Sequence, residues 1–332
     1  MKKTNKKINY FTIIKEATNI TIHNKILWWF GLLTIFSGSC FSFNYTFPNN
    51  SSDIKFDEME YMNMMRRIFY YWELYSGWII LAIAIVILIA IILYVVGLIG
   101  RGALIDSIFK VIKKENFSFS SGFKKGIYFL GRLFLIKLFF SISFLILLFI
   151  LAFPVVRLAI LKSYGAAILL GLVAFLLLVS IAILFSYFRT YAQMYLVGSD
   201  LGIKNSIKLA YGLFEKNIKE SLIMGIVSGA VNLVIGIIII FILIGVAIPG
   251  WIIGIIAYKI AGEFALIVLG ISAVIIFVAL VTLARAILNV FFEAVWILFF
   301  HEIGRESRDV KNLEEELVVV LPNDRAPESI TH

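Results

Sequence analysis

Trp78-Ile-Ile-Leu-Ala-Ile-Ala-Ile-Val-Ile-Leu-Ile-Ala-Ile-Ile-Leu-Tyr-Val-Val-Gly-Leu98 carries no charge from end to end. About 20 such residues in a helix cross a hydrocarbon core of ~30 Å. Lipid offers the backbone no hydrogen-bond partners, so the run must close its own hydrogen bonds as a helix. Working outward, the same reading holds for 165–185, 223–248 and 264–283. A membrane β-barrel needs alternating segments of about ten residues, and these runs do not alternate. Two weaker segments complete the set. Residues 26–43 are uncharged but short, and 133–153 carries Lys137 near one end, from which a lysine can reach the interface. The fold class is therefore all-α, a polytopic transmembrane helix bundle. Six spans are expected at about 26–43, 78–100, 133–153, 165–188, 222–248 and 264–285, within a membrane domain of 1–301.

The composition agrees. The 332 residues are 61% hydrophobic and 15% charged, whereas soluble domains are nearer half apolar and a quarter charged. The net charge of +9 follows from topology. Of the 30 lysines and arginines, Lys137 lies inside a span, and Lys55, Arg66, Arg67, Arg157, Lys162 and Lys259 fall on one side of the alternating spans. All the others fall on the opposite side. Basic residues stay cytoplasmic, so both termini are expected in the cytoplasm of a cytoplasmic (inner) membrane. Anionic lipid head groups are the expected partner of these basic loops, and no nucleic acid is needed to explain the charge. Trp28 and Trp29 suit one interfacial belt, and Trp72, Trp78 and Trp251 the other.

The basic start and Ser37-Gly-Ser-Cys40 have the outline of a lipoprotein cleavage site. However, roughly 25 residues precede the apolar stretch, long for a signal n-region. Cys40 is read instead as a core or interface thiol. As the single cysteine, it excludes an internal disulfide. The sequons at Asn44 and Asn50 matter only in a eukaryotic secretory pathway, and the usage rich in Lys, Ile and Asn is bacterial in style.

An internal repeat organises the chain. Amphipathic helices are expected at about 8–24, 119–131 and 204–217, each running into a span. Ile207, Tyr211, Phe214 and Ile218 form one apolar stripe, and Phe123, Ile127, Leu130 and Phe134 form its counterpart, both at helical spacing. Ile8, Phe11 and Ile14 form the weakest copy. The return spans also end alike, at Arg101, Arg189 and Arg285, each opening a further apolar stretch, the last at about 287–300. Helices of this kind lie in the head-group plane.

Between the first two spans, 57–72 reads as a helix rich in Met and aromatic residues, which either covers the bundle or receives a protein partner. The tail, 302–332, is acidic and partly disordered in expectation. Its stripe of Val310, Leu313, Leu317 and Leu321 is the other candidate for a protein contact.

Chemistry is mostly absent. There is no phosphate-binding loop and no nucleophile elbow. The scattered His23, His301 and His332 suggest no metal, and no cofactor is implied. Charge inside a membrane is the usual sign of function. Arg189 and Arg285 read as markers of the cytoplasmic interface. Glu293 lies in otherwise apolar Asn289-Val-Phe-Phe-Glu-Ala-Val-Trp296. Lying in the interface, the favoured reading, it faces water; folded into the bundle, it needs Arg285 or Arg189. Asn232 follows Gly225-Ile-Val-Ser-Gly229, a small-residue face with an interhelical hydrogen-bonder, or a substrate contact.

Ile13-Ile-Lys-Glu-Ala17, Asn24-Lys-Ile-Leu-Trp-Trp-Phe-Gly-Leu-Leu33 and Leu213-Phe-Glu-Lys-Asn217 resemble uncharacterised bacterial multi-pass proteins near the glycerophosphodiester phosphodiesterase membrane-domain family. The resemblance implies repeated amphipathic-plus-hairpin units without an assigned activity. The catalytic barrel of that family has no room here, and no catalytic residue carries over.

The expected function is non-enzymatic: organising lipid or partner proteins at the membrane. A transporter or permease for a lipid or apolar solute is the alternative. An intramembrane enzyme fits least.

Overall fold

In the computed structural model, residues 8–37 and 58–306 are described. Cys40, the rest of 38–57 and the tail beyond 306 lie outside them. Among the described residues every regular element is helical. The elements are α1 (Tyr10–His23), α2 (Ile26–Thr34, extended by a 3-10 turn Ile35–Ser37), α3 (Glu58–Ile112), α4 (Phe119–Ile160), α5 (Tyr164–Gly198), α6 (Ile203–Lys216) and α7 (Ile218–Glu306). At Gly262 the backbone of α7 turns to φ 72° and ψ −162°, a conformation that suits glycine. This splits α7 into two arms.

Five helical stretches are long and apolar enough to cross a membrane: Met62–Ile112, Phe119–Ile160, Tyr164–Gly198, Ile218–Ile256 and Ile267–Gly304. This is a membrane protein, with five such helices among the described residues. A further apolar helix covers Ile26–Ser37, and the rest of the expected first span, 38–43, lies outside the described residues. Residues 119–131 form the start of α4 rather than a separate helix, and 287–300 continue α7. The separate amphipathic helices are α1 and α6.

Local chemistry sets the ends. Asn9 caps α1 by accepting from the Thr12 backbone N–H at 3.2 Å. Ser118 and Ser121 form a reciprocal capping box at the start of α4, satisfying N–H groups that a helix start leaves open. The Trp28 indole N–H donates to the Thr21 carbonyl at 2.8 Å, folding α2 back on α1.

The molecule has a head and shafts. In the head, Ile20, Leu27, Leu104, Ile108, Leu133, Ile136, Met194, Leu196, Leu213, Val290 and Phe299 are buried together. Tyr191 OH and Ser221 Oγ, both buried, meet at 2.9 Å and join α5 to α7. In the shafts, residues such as Ile83, Phe149, Ile168, Phe241 and Ile275 are exposed.

The packed faces follow the stripes read from the sequence only in part, with Phe214 buried and Ile8, Ile14, Phe123 and Ile207 packed against the core. α6 buries Ser206, Leu209, Ala210, Leu213 and Phe214 but leaves Tyr211 56% exposed, and Ile218, at the start of α7, is 43% exposed. α4 buries Gly122, Gly126, Phe129 and Leu133, while Ile127 and Phe134 are exposed. α1 buries Ile13, Ala17 and Ile20, while Phe11 is exposed. The physical reason is close approach: small residues let helix backbones meet. At Gly31 in α2 a Cβ would overlap the Ala286 carbonyl oxygen and lie 2.7 Å from Val290 Cγ2 of α7. At Gly97 in α3 it would overlap the Ser37 backbone. α2 is thus wedged between α3 and α7.

Candidate functional site

Where the head gives way to the shafts, charged groups from four helices converge. Arg101 of α3 places Nη2 3.7 Å from Glu293 Oε2 of α7, with the side chains 24% and 16% exposed. Arg101 Nε and Glu293 Oε1 are buried without hydrogen-bond partners. Arg189 of α5 lies within electrostatic reach of Arg101, Tyr94 and Glu293. Lys137 of α4 lies within reach of Arg101 and Arg189. Two arginines therefore share one carboxylate, with a third cation, Lys137, beside them.

Lys137 does not snorkel away from the bundle. Its Nζ donates to the Ser37 carbonyl and sits 4.6 Å over the Tyr94 ring. Ser37 lies in the 3-10 turn that extends α2, so the lysine ties α4 to that turn. A further link joins α7 to α2, with Asn289 Nδ2 donating to Thr34 Oγ1 at 3.2 Å.

Beside the cations lies a cavity of about 310 Å³ between α3, α4 and α5, lined by residues including Tyr94, Phe134, Lys137, Phe140, Phe185 and Arg189. Tyr94 meets Phe134 edge to face at 6.5 Å, and Phe140 meets Phe185 at 5.8 Å. Phe134 and Leu138 at the mouth are 41% and 39% exposed, so the cavity opens sideways along the shafts. One end is cationic and the rest is aromatic. That arrangement can hold an anion bearing an apolar chain. No group of three or more His, Cys, Asp or Glu able to hold a metal occurs among the described residues.

Of the residues singled out by sequence, Glu293 and Arg189 come together here. Glu293 folds against the bundle rather than facing water, and its ion-pair partner is Arg101 rather than Arg285 or Arg189. Arg285 is exposed on α7. Asn232 is exposed on the first arm of α7. Nearby Gly229 and Gly236 have nothing within 4 Å of a Cβ position, whereas a Cβ at Gly225 would collide with the Tyr187 hydroxyl. The part of 57–72 that is described belongs to α3, with Met62, Phe69, Tyr70 and Trp72 exposed. Sequence reasoning missed Tyr94 and the Ser37 carbonyl as partners of Lys137. It did place Arg101 and Arg189 at equivalent return-span ends, and that equivalence was the available signal for Arg101.

A family model described as a family of unknown function, DUF7544, matches residues 22–309. No curated protein matches the chain, and no solved structure does. Nothing in these comparisons links the chain to the glycerophosphodiester phosphodiesterase membrane domains that its opening residues resemble.

Proposed function

We propose that this chain, which belongs to the DUF7544 family of unknown function, is a non-enzymatic integral membrane protein that organises lipid at the cytoplasmic face of a bacterial cytoplasmic membrane. In this reading both termini and the head are cytoplasmic, and α2 is a sixth, partial crossing. The three amphipathic segments, α1, the start of α4 and α6, are copies of one unit.

The observation that carries the reading is the outer surface of those segments. Lys15, Lys124, Lys125, Lys204 and Lys208 are exposed. Beside them Phe11, Ile127 and Tyr211 are exposed as well. Lysines next to free apolar side chains at the base of the spans suit an interface in which chains insert between head groups and ammoniums meet anionic lipid. Each lysine near such a surface contributes about 1 kcal/mol.

The test is the full chain reconstituted in mixed phosphatidylglycerol and phosphatidylcholine bilayers, with each lipid spin-labelled in turn. A larger motionally restricted fraction is expected for phosphatidylglycerol, shrinking as salt screens the lysines. Equal fractions at low salt would end this reading.

A further inference from the structure

We infer that the cleft between α3, α4 and α5 binds one anionic phospholipid. Its phosphate is held by Arg189 and Lys137, and an acyl chain lies along Phe134, Phe140 and Phe185. The inference rests on the lipid-organising reading and gives it a stoichiometric site.

Charge is the first support. Arg101 and Arg189 lie within reach of the Glu293 carboxylate, and Lys137 lies beside both arginines, so among the described residues three clustered cations meet one carboxylate. Uncompensated charge at membrane depth is costly, and an anion relieves it. Arg189 makes no hydrogen bond or ion pair with another described residue, although its side chain lines the cavity. Lys137 gives one donor to the Ser37 carbonyl and keeps two of its three. An arginine fork and a lysine point charge together suit a phosphate.

Depth is the second support. Arg101 directly follows the apolar run that closes at Gly100. In a head-inward orientation the cluster therefore sits at the level of inner-leaflet phosphates. Shape is the third. The cavity of about 310 Å³ takes a head-group phosphate and the start of a chain. Its open side, past Phe134 and Leu138, continues onto the apolar shafts where the rest of a lipid lies. A soluble anion such as inorganic phosphate would satisfy the cations but leave the aromatic wall unused.

The experiment is native mass spectrometry of the delipidated full chain in mild detergent. It is titrated separately with phosphatidylglycerol and phosphatidylcholine, then with phosphatidylglycerol against millimolar inorganic phosphate. One phosphatidylglycerol per chain is expected, retained at least tenfold more strongly than phosphatidylcholine and not displaced by phosphate. Arg189→Gln should lower its retention about tenfold, Arg189→Lys should keep most of it, and Arg285→Gln should leave it unchanged. Equal retention of the two lipids in the unmodified chain overturns the inference without needing any variant. Displacement by phosphate overturns the lipid in favour of a soluble anion. Arg189→Gln that folds normally and retains lipid as before also overturns it. If the spin-label selectivity persists while the stoichiometric lipid is missing, only this site falls and the broader reading stands.

Discussion

Along α4 the chain passes from Phe129, Leu133 and Ile136, all buried, to Leu145, Phe149 and Phe153, all exposed. Hydrophobicity does not change at that boundary. What changes is the neighbourhood. In the head, small residues admit neighbouring backbones, as at Gly31 and Gly126, and hydrogen bonds such as Tyr191 to Ser221 join helices. In the shafts the side chains look outward, and a Cβ at Gly236 or Gly245 would meet nothing within 4 Å. Lipid tails are as apolar as leucine, so apolar surface alone gives the shafts no reason to associate. The head should therefore hold most of the folding free energy, and substitutions can probe that contrast.

The largest effect is expected from a pair of matched substitutions. Gly31→Val forces α2 from Ala286 and Val290 and should cost ~3 kcal/mol, as overpacked cores do. The read-out is the thermal midpoint in detergent, by fluorescence-detected size exclusion. Gly236→Val should shift it by no more than about 0.5 kcal/mol. Equal losses at the two glycines would mean that the shafts are packed as tightly as the head.

Next in size is the buried Tyr191–Ser221 contact. Ser221→Ala leaves the tyrosine hydroxyl without its partner and should cost about 1–3 kcal/mol. Adding Tyr191→Phe should restore part of that loss, because the orphaned hydroxyl is removed. A double variant as damaged as the sum of the singles would show that the two groups are not coupled.

The ion pair ranks third. Glu293→Gln leaves Arg101 with no carboxylate. Full burial would make that change cost several kcal/mol, but the partial exposure of both partners reduces the expected cost to about 1–2 kcal/mol. Arg285→Gln, at an exposed site, should stay within ~0.5 kcal/mol. Matching losses would place Arg285 in the cluster from which its exposure excludes it.

The smallest effect is expected at Asn232. With its side chain facing outward, Asn232→Leu should be neutral or slightly stabilising, within ~0.5 kcal/mol. A clear loss, or a shift in elution volume, would show that this face of α7 is covered in the membrane.

The sequence made the helices and their apolar lengths legible, because lipid forces an uncharged run to satisfy its own backbone. It was less informative about which face packs. The stripe of Ile207, Tyr211, Phe214 and Ile218 follows the rule for water-soluble helices, in which large apolar residues turn inward. Phe214 does turn inward, but Tyr211 and Ile218 stay exposed, as apolar residues beside a membrane can, and Ser206 and Ala210 join the packed face instead. The same limit hid part of the candidate site. Arg189 and Glu293 stood out as charges in apolar surroundings, but their convergence with Arg101 and Lys137 depends on crossings set by Gly97, Gly126 and Gly31, which no local pattern reports. The Ser37 carbonyl was invisible for a simpler reason: a backbone group has no letter in the sequence.

The wedging of α2 between α3 and α7 has a consequence for biosynthesis. Ribosomes deliver the N-terminus first, so α1 and α2 emerge long before the helix that encloses them. The Asn289–Thr34 hydrogen bond spans 255 positions. Until the last arm of α7 is inserted, Gly31 and Thr34 lack the α7 wall that closes over them. A chain cut at Gly262 would keep four of the five long apolar stretches yet leave this seam open, making it a natural target for membrane quality control.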